Sequence, residues 1–258
     1  MKITVLVENT EGSEKLETEH GLSLYIEANN KKILFDMGQS ALFAKNAEKK
    51  GIDLTAVDFA VLSHGHYDHG GGLEIFLKTN KTAPVYLSRF AFEPHYNGTE
   101  KYIGLDTDLM SDNRLVFVGD ELKIDNGFTL YSCNEREKKH YLGSFGLNMT
   151  DGEEFLPDDF RHEQYLLIEE DGKRILISGC SHKGVMDITE WFIPDVLVGG
   201  FHFTKIEPGE NLKSYTEFLN NFSTAFYTCH CTGVPQYEFM KEHMNNLHYI
   251  STGDEITI

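Results

Sequence analysis

The stretch SHGHYDHGGG at residues 63–72 holds the densest group of metal-ligand side chains in the chain. Its candidates are His64, His66, Asp68 and His69, in the spacing H-x-H-x-D-H. Two neutral imidazoles, those of His64 and His66, can bind one divalent ion, while the carboxylate and the third imidazole can bind an adjacent one. A lone histidine is usually exposed or hydrogen-bonded, but four ligand types at this spacing favour a metal site.

The segments on either side of this cluster must position it. FAVLS at 59–63 is an apolar run that predicts a buried strand, so the histidines would lie on the loop that leaves it. GGLEIFLKTN, which begins at Gly71, predicts a helix. Gly65 gives the backbone room to aim the ligands, and the glycines at 70–72 permit unusual dihedrals and a close approach of the start of this helix.

Other strand-like and helix-like segments interleave along the chain. The predicted strands are KITVLVEN, LSLYIEAN, KKILFDMG, APVYLS, RLVFVG, FTLYSC, QYLLIEE, KRILISGC, VLVGGFHF and AFYTCHC, and the further helices are ALFAKNAEKKG, NLKSYTEFLNN and PQYEFMKEHMNN. LSLYIEAN and KKILFDMG form a hairpin around 29–31. This order predicts an α/β fold with buried sheets. A chain of 258 residues with 40% hydrophobic content can form a sizeable core.

The charge of the chain argues against polyanionic partners. Lys and Arg number 23 and Asp and Glu number 41, which gives a net charge of −18. This field repels nucleic acid and anionic membranes, so we expect a small-molecule substrate instead. The start MKITVLVENT lacks the features of a secretory signal, and no window reaches the roughly 18 apolar residues needed to cross a bilayer, which predicts a cytoplasmic location. The sequence gives no oligomeric state.

The four cysteines match neither a disulfide framework nor paired C-x-x-C zinc motifs, so reduced thiols are expected. They are Cys133, Cys180, Cys229 and Cys231. The last two flank His230 in FYTCHCTG, and if this segment is a strand, the thiols share one face while the imidazole takes the other. This arrangement suits a separate role for His230.

LSHGHYDHGGGL resembles the signature of the metallo-β-lactamase superfamily, and LFDMG and LISGCSH extend the resemblance. Together with EHGLSLYIE, GGFHF and CHCTG, these motifs are similar to the dihydropteroate-synthase-like branch. The resemblance implies one domain over 1–258, folded as a four-layer α/β/β/α sandwich. Two mixed sheets would lie face to face with helices outside, and two divalent ions would bind at one edge.

The resemblance also implies ligands from the second half of the chain. His182 follows an apolar strand as His64 does, and His230 lies where the superfamily supplies its last histidine. Cys180 stands where many relatives carry a bridging aspartate; a thiolate can bind zinc, but a buried cysteine is often only a packing residue. His162 lies near the third histidine motif of the relatives, and a surface role is the alternative.

Two further residues are expected to act beside the metal ligands. His202 in GGFHF would face the substrate or support a ligand. The resemblance implies that Asp36 hydrogen-bonds groups of the histidine loop and fixes their direction, although an aspartate that starts a turn fits FDMG equally well.

Two adjacent divalent ions would make the chain an enzyme that activates water against an ester, lactone or phosphoester bond of a small molecule. Asp68 would orient the nucleophile, and His182 or His202 would protonate the leaving group. The imidazole ligands favour zinc, with manganese, iron or magnesium as alternatives. The branch also implies a second chemistry, in which a dihydropterin diphosphate is joined to an aminobenzene ribofuranoside phosphate. A metal-dependent binding or sensor module without turnover is the third interpretation.

The aromatic middle of the chain can be a surface excursion or a lid. As a lid it would place Phe92, His95, Tyr102 and Tyr141 on a flat, pterin-like ring, with Arg89 or Lys101 at an anion.

Overall fold

The computed structural model describes residues 1–12, 16–152 and 154–258. Its strands are β1 (Lys2–Val7), β2 (Ser23–Ala28), β3 (Lys31–Phe35), β4 (Phe59–Val61), β5 (Val85–Ser88), β6 (His95–Asn97), β7 (Lys101–Tyr102), β8 (Leu115–Val118), β9 (Glu121–Asp125), β10 (Phe128–Tyr131), β11 (Leu147–Asp151), β12 (Glu154–Pro157), β13 (Tyr165–Glu170), β14 (Lys173–Ile177), β15 (Val196–Val198), β16 (Ala225–Thr228), β17 (Leu247–Tyr249) and β18 (Glu255–Thr257). Its helices are α1 (Leu42–Lys49), α2 (Tyr67–Gly70), α3 (Leu73–Thr79), α4 (Val185–Phe192), α5 (Glu210–Leu219) and α6 (Val234–Lys241).

The strands form two seven-stranded mixed sheets and one small sheet. The first sheet has the order β18-β1-β2-β3-β4-β5-β8, and its strands from β3 to β8 are parallel. The second has the order β17-β16-β15-β14-β13-β10-β9, and its strands from β14 to β17 are parallel. The small sheet, β12-β11-β6-β7, is built from the middle of the chain.

Three apolar clusters bind these elements into layers. Residues such as Ile26 and Val61 of the first sheet and Leu166 and Ile177 of the second pack together between the sheets. A second cluster joins the outer face of the first sheet to α1 and α3, and a third joins the second sheet to α4, α5 and α6. The four-layer α/β/β/α arrangement implied by the resemblance is therefore confirmed.

Local signals in the sequence account for several elements. Asn29 and Asn30 have φ of 47° and 59°, the left-handed pair that a tight hairpin between β2 and β3 requires. The predicted strand VLVGGFHF is shorter than expected because the chain leaves the sheet after Val198. Helix α4 was not predicted, although its apolar side packs on the second sheet. No helix among the described residues is both long and apolar enough to cross a bilayer.

The prediction for FYTCHCTG is wrong. Strand β16 ends at Thr228, and residues 230–232 form a 3-10 turn, so the two cysteines do not share a strand face. Cys229 lies fully buried between the two sheets, while the Cys231 thiol donates to the Cys180 carbonyl at 3.5 Å. The chain turns here because His230 takes a left-handed φ of 49°.

One edge of the two sheets collects the polar residues that follow buried strands. The strands β1, β3 and β4 run in the same direction and end there, as do β14, β15 and β16. Strand β13 is antiparallel to β14, so its first residues lie at the same edge. Side chains far apart in the sequence therefore meet outside the carboxyl ends of parallel strands.

Candidate metal centre

The histidine loop is held against its neighbours by backbone contacts. The Met37 amide donates to the His69 carbonyl at 2.7 Å, and a Cβ on Gly65 would collide with the carbonyl of Ala91. Gly71 and Gly72 have ordinary helical φ of −62° and −80°, but a Cβ on either would collide with carbonyls that precede α1. The close approach that these glycines permit is therefore confirmed, whereas Gly71 and Gly72 do not adopt unusual dihedrals.

Asp36 fixes the orientation of two imidazoles in the loop. Its fully buried carboxylate accepts hydrogen bonds from the Ser63 amide, the Ser63 hydroxyl and His69 Nδ1, each at 2.7 Å. Because the Ser63 hydroxyl donates to Asp36, its oxygen must accept from His64 Nδ1, which lies 2.8 Å away. Both rings therefore carry a proton on Nδ1 and turn Nε2 towards the centre, as metal-ligating histidines commonly do.

His230 is oriented in the same way from the end of β1. Its Nδ1 lies 2.8 Å from Asn9 Oδ1, and its backbone amide donates to the buried Glu8 carboxylate at 2.7 Å. The Asn9 oxygen can only accept, so His230 also carries its proton on Nδ1. His20 Nδ1 lies 3.4 Å from the Asn9 amide nitrogen, which leaves its Nε2 to donate to Asp68 Oδ2 at 3.2 Å.

Four donor atoms converge in what we call the Asp68 group, which comprises Asp68, His69, Cys180 and His230. His69 Nε2 lies 3.2 Å from His230 Nε2 and 3.2 Å from Cys180 Sγ. Asp68 Oδ2 lies 3.3 Å from His230 Nε2. The two imidazoles turn lone-pair atoms towards one another, so the contact becomes favourable when a positive charge, either a proton on one ring or a metal ion, lies between them.

Three imidazoles converge in the His64 group, which comprises His64, His66 and His182. His64 Nε2 lies 3.3 Å from His182 Nε2, and one ring nitrogen of each member lies within 4.8 Å of the others. His66 Nε2 and His182 Nδ1 are buried without a hydrogen-bond partner among the described residues. Buried polar atoms usually have hydrogen-bond partners, so a partner is expected beside each of these two nitrogens.

The spacing within both groups fits a divalent ion. Zinc bonds of about 2.0–2.1 Å to nitrogen give tetrahedron edges of roughly 3.3 Å between ligand atoms. The Nε2 pairs of the two groups lie 3.2 and 3.3 Å apart. Imidazole, thiolate and carboxylate are all ligands that zinc accepts, so the residues present fit divalent metal ions.

The two groups differ in the charge of their imidazoles. Burial, reinforced by neighbouring imidazoles, holds the pKa values of His64, His66 and His182 well below the ordinary histidine value. Burial also opposes the charge of His69, but the carboxylates of Asp36 and Asp68 outweigh it and raise the pKa of His69. Without metal, His69 therefore holds a proton more strongly than the three imidazoles of the His64 group.

A cavity of about 210 Å³ opens onto both groups. His66, Asp68, Cys180, His182 and His230 all line it, so a small molecule in the cavity would meet both groups at once. The rest of its wall is formed by Asn9, His20, Tyr67, Asn97, Lys101, Ile103, Leu147, His202, Thr204, Lys205 and Cys231.

Comparison with known protein families matches residues 17–215 to the metallo-β-lactamase superfamily. The chain belongs to this superfamily. It is 30% identical over 266 residues to an uncharacterized protein of Methanocaldococcus jannaschii, with 99% of this chain and 100% of that protein covered. These matches confirm the resemblance inferred from the motifs, and the superfamily indicates an enzyme that binds divalent metal ions.

Two further relatives carry functional names. The chain is 29% identical over 283 residues to 7,8-dihydropterin-6-methyl-4-(β-D-ribofuranosyl)-aminobenzene-5′-phosphate synthase of the same organism, with 98% of this chain and 95% of the relative covered. Among solved structures, Tm1679, a metal-dependent hydrolase of the β-lactamase superfamily, matches at 29% identity with a TM-score of 0.85, covering 100% of this chain and 99% of that one. One relative is thus named a synthase and the other a hydrolase.

Within this superfamily member, the histidines outside the two groups have different surroundings. His202 borders the cavity, and its ring lies 4.3 Å from that of His182. A surface role for His162 is wrong, because the side chain is fully buried and its Nδ1 accepts from the Gly65 amide at 2.9 Å. His202, like His230, has a left-handed φ, of 57°, a strained conformation that often marks functional sites.

The four ring-bearing residues of the predicted lid do not line the described wall of the cavity. Phe92 packs in the core beside the first sheet, and His95 is buried with its Nδ1 2.8 Å from Asp158. Tyr102 and Tyr141 are exposed and do not line the described wall of the cavity. Of the two basic residues predicted to meet an anion, Lys101 lines the wall and Arg89 does not line its described part. Asn97, Ile103 and Leu147, also from the middle of the chain, line it as well.

Several residues beside the centre carried no prediction from the sequence, namely Glu8, Asn9, His20, Asp158 and Glu163. His95 was predicted as a lid residue, but it is buried on Asp158. The pair Glu8 and Asn9 carried a usable signal, because it follows the buried strand β1 as Asp36 follows β3. For Glu163, whose carboxylate accepts from the His182 amide at 2.6 Å, no spacing in the sequence pointed to its partner.

Proposed function

We propose that the protein is a hydrolase that uses two divalent metal ions, zinc preferred, against an ester, lactone or phosphoester bond of a small molecule. The observation that carries the proposal is the pair of donor groups whose Nε2 atoms face one another at 3.2 and 3.3 Å beside one cavity. The His64 group would hold one ion and the Asp68 group the other. Such ions lower the pKa of a bound water to about 7 and polarise the bond under attack.

The side chains around the ions would have different roles in the reaction. Asp68 stays ionised, because His69, His20 and His230 hold its pKa well below the ordinary value although burial would raise it. Its carboxylate can both bind an ion and orient the nucleophile. His182 faces His64 as a ligand, which leaves His202, on the cavity wall, to give a proton to the leaving group.

The cavity favours an anionic substrate. Lys101 and Lys205 belong to its wall, and Asp68 is the one carboxylate among the described residues that line it. In a chain of net charge −18, two lysines beside the donor groups create a local field that attracts anions. Ile103 and Leu147 supply an apolar surface for the remainder of a small substrate, which includes ring compounds such as a pterin.

A second candidate is the coupling of a dihydropterin diphosphate to an aminobenzene ribofuranoside phosphate. It is supported by the relative that carries the synthase name and that aligns with 98% of this chain. Hydrolysis is preferred because it needs no second organic pocket beside a cavity of about 210 Å³.

The test begins with metal content. Protein purified without added metal, then loaded with zinc, should hold close to two ions per chain, and His66→Ala should lose at least one ion and most turnover. His248→Ala is the matched control, because His248 is exposed on β17, away from the cavity. Full metal content and turnover in His66→Ala would reject the assignment.

The reaction is then identified by mass spectrometry. A panel of phosphoesters, esters and lactones should give hydrolysis products, and Lys205→Gln should raise KM for anionic substrates while leaving neutral esters unchanged. A dihydropterin diphosphate incubated with and without an aminobenzene ribofuranoside phosphate tests the second candidate. A coupled product that requires the enzyme and disappears in His66→Ala would establish the transferase instead.

A further inference from the structure

Beside His66, and outside the described wall of the cavity, lies a buried cluster of His95, Asp158 and His162. One donor atom of each of these residues and one of His66 lie within 4.8 Å of one another. Asp158 and His162 are almost fully buried, and the rings of His95 and His162 lie 3.8 Å apart. His66 alone belongs both to this cluster and to the His64 group.

The hydrogen bonds of the cluster fix where its protons lie. His162 Nδ1 accepts from the Gly65 amide, so a neutral His162 ring carries its proton on Nε2, 3.4 Å from Asp158 Oδ2. His95 Nδ1 lies 2.8 Å from the same carboxylate oxygen, which can only accept. His95 therefore carries its proton on Nδ1 and presents a lone pair at Nε2.

This proton arrangement argues against a further metal ion in the cluster. A metal ligand must offer a lone pair, and the His162 lone pair is already used by Gly65. The neutral ring has no other lone pair, because its Nε2 faces Asp158 Oδ2 at 3.4 Å and carries the proton. The cluster offers one free lone pair, at His95 Nε2, and that atom is buried without a partner among the described residues.

His66 supplies the donor that this lone pair lacks. An imidazole that binds a metal ion through one nitrogen carries a proton on the other. His66 Nε2 is also buried without a partner, and the rings of His66 and His95 are edge-to-face with centroids 5.5 Å apart. This donor and the unmatched acceptor thus belong to neighbouring rings. His162 Nε2 also makes no hydrogen bond among the described residues, but it faces an acceptor of its own, Asp158 Oδ2, at 3.4 Å.

We infer that His95 and Asp158 are positioning residues for the metal ligand His66. The second N–H of His66 donates to His95 Nε2, directly or through one water, and His95 Nδ1 donates to Asp158. The inference rests on the proposed function, in which His66 binds an ion. This relay of hydrogen bonds, from His66 through His95 to Asp158, would orient the His66 ring and make its ligating nitrogen more basic. It would affect the ion of the His64 group and not that of the Asp68 group, whose imidazoles are oriented by Asp36 and Asn9.

The test compares zinc affinities of the two groups in His95→Leu, His95→Gln and Asp158→Asn, measured by competition with a chelator. Second-sphere partners of this kind change metal affinity by about 10–100-fold. We expect His95→Leu and Asp158→Asn to weaken one of the two ions by about that factor and to leave the other within twofold. His95→Gln should recover most of the affinity, because an amide can accept from His66 and donate to Asp158.

Two results would overturn the inference. One is unchanged affinity for both ions in His95→Leu and Asp158→Asn. The other is an equal loss of both ions that parallels a lower melting temperature of the metal-free protein, which would mark a purely structural role that glutamine would not rescue.

Imidazole nitrogen NMR of the metal-free protein separates this inference from the proposed function. It should find the proton of His95 on Nδ1 and that of His162 on Nε2. A His95 ring protonated on Nε2 would remove the acceptor and reject the relay whatever the metal content. Wild-type protein that binds no zinc while showing the expected tautomers would instead reject the proposed function, and the relay to a metal ligand with it.

Discussion

The His64 group and the Asp68 group share one cavity, but their imidazoles differ in how readily they take up a proton. The His64 group consists of imidazoles that burial keeps neutral. The Asp68 group includes a carboxylate and a thiol, and its His69 is pulled towards the charged form by Asp36 and Asp68. The His64 group can therefore bind a metal ion without losing a proton, whereas the Asp68 group must release a proton when it binds one.

One aspartate, Asp36, orients an imidazole in each of the two groups. The Asp36 carboxylate accepts directly from His69 and reaches His64 through the Ser63 hydroxyl. Its backbone takes a left-handed φ of 59°, which turns the side chain off the end of β3 towards the loop. A single buried charge thus orients one ligand of each group.

The largest effect is expected for Asp36→Asn. An amide would turn a donor towards the Ser63 hydroxyl or His69 Nδ1, both of which need an acceptor. Zinc affinity should fall about 10–100-fold in both groups, and the free energy of unfolding should fall by about 1–3 kcal/mol. Chelator competition and chemical denaturation measure the two effects, with Asp53→Asn, at an exposed turn, as the control. Loss of one ion alone would show that Asp36 orients a ligand of only one group.

Cys180→Ser should affect one group. The thiol lies 3.2 Å from His69 Nε2, and a hydroxyl is a far weaker zinc ligand than a thiolate. We expect about a tenfold loss or more for the ion of the Asp68 group, with the other ion unchanged, by the same competition measurement. Unchanged affinity for both ions would make Cys180 a packing residue.

Acidification should release the ion of the Asp68 group first. A proton competes with a metal ion only below the pKa of the ligand in the metal-free protein. That pKa is raised for His69 and lowered for His64, His66 and His182, so the competition begins at a higher pH in the Asp68 group. Zinc retained after dialysis at a series of pH values below 7 should fall from two ions to one before it falls to none. Simultaneous loss of both ions would contradict this order.

The smallest effect concerns thiol labelling. Burial raises the pKa of Cys133 to about 11, so about one in a thousand Cys133 thiols is ionised at pH 8. The rate of its alkylation should therefore rise about tenfold per pH unit up to that pKa. Cys133 should label equally slowly with and without metal, whereas Cys180, on the cavity wall, should label only after chelation. Peptide mass spectrometry measures both sites. Equal labelling of Cys180 in the two states would argue against its role as a ligand.

The sequence predicted the elements whose signals are local. The apolar run before Ser63, the Asn29-Asn30 turn and the H-x-H-x-D-H spacing each depend on residues within a few positions of one another. The strands β1 to β5 and the helices α1 and α3 lie where these patterns placed them. The family resemblance supplied the layered arrangement, which the patterns alone did not specify.

The sequence alone does not show which residues, distant along the chain, hydrogen-bond to which imidazole; the tertiary structure does. Asn9 reaches His230 across 221 positions and Asp158 reaches His95 across 63, and no periodicity encodes such pairs. The same holds for Cys229 and Cys231, which a strand would have placed on one face and the turn at His230 separates. The physical reason is that spacing along a chain fixes local dihedrals, whereas hydrogen-bond partners and pKa values depend on which strand ends meet at the shared edge of the two sheets.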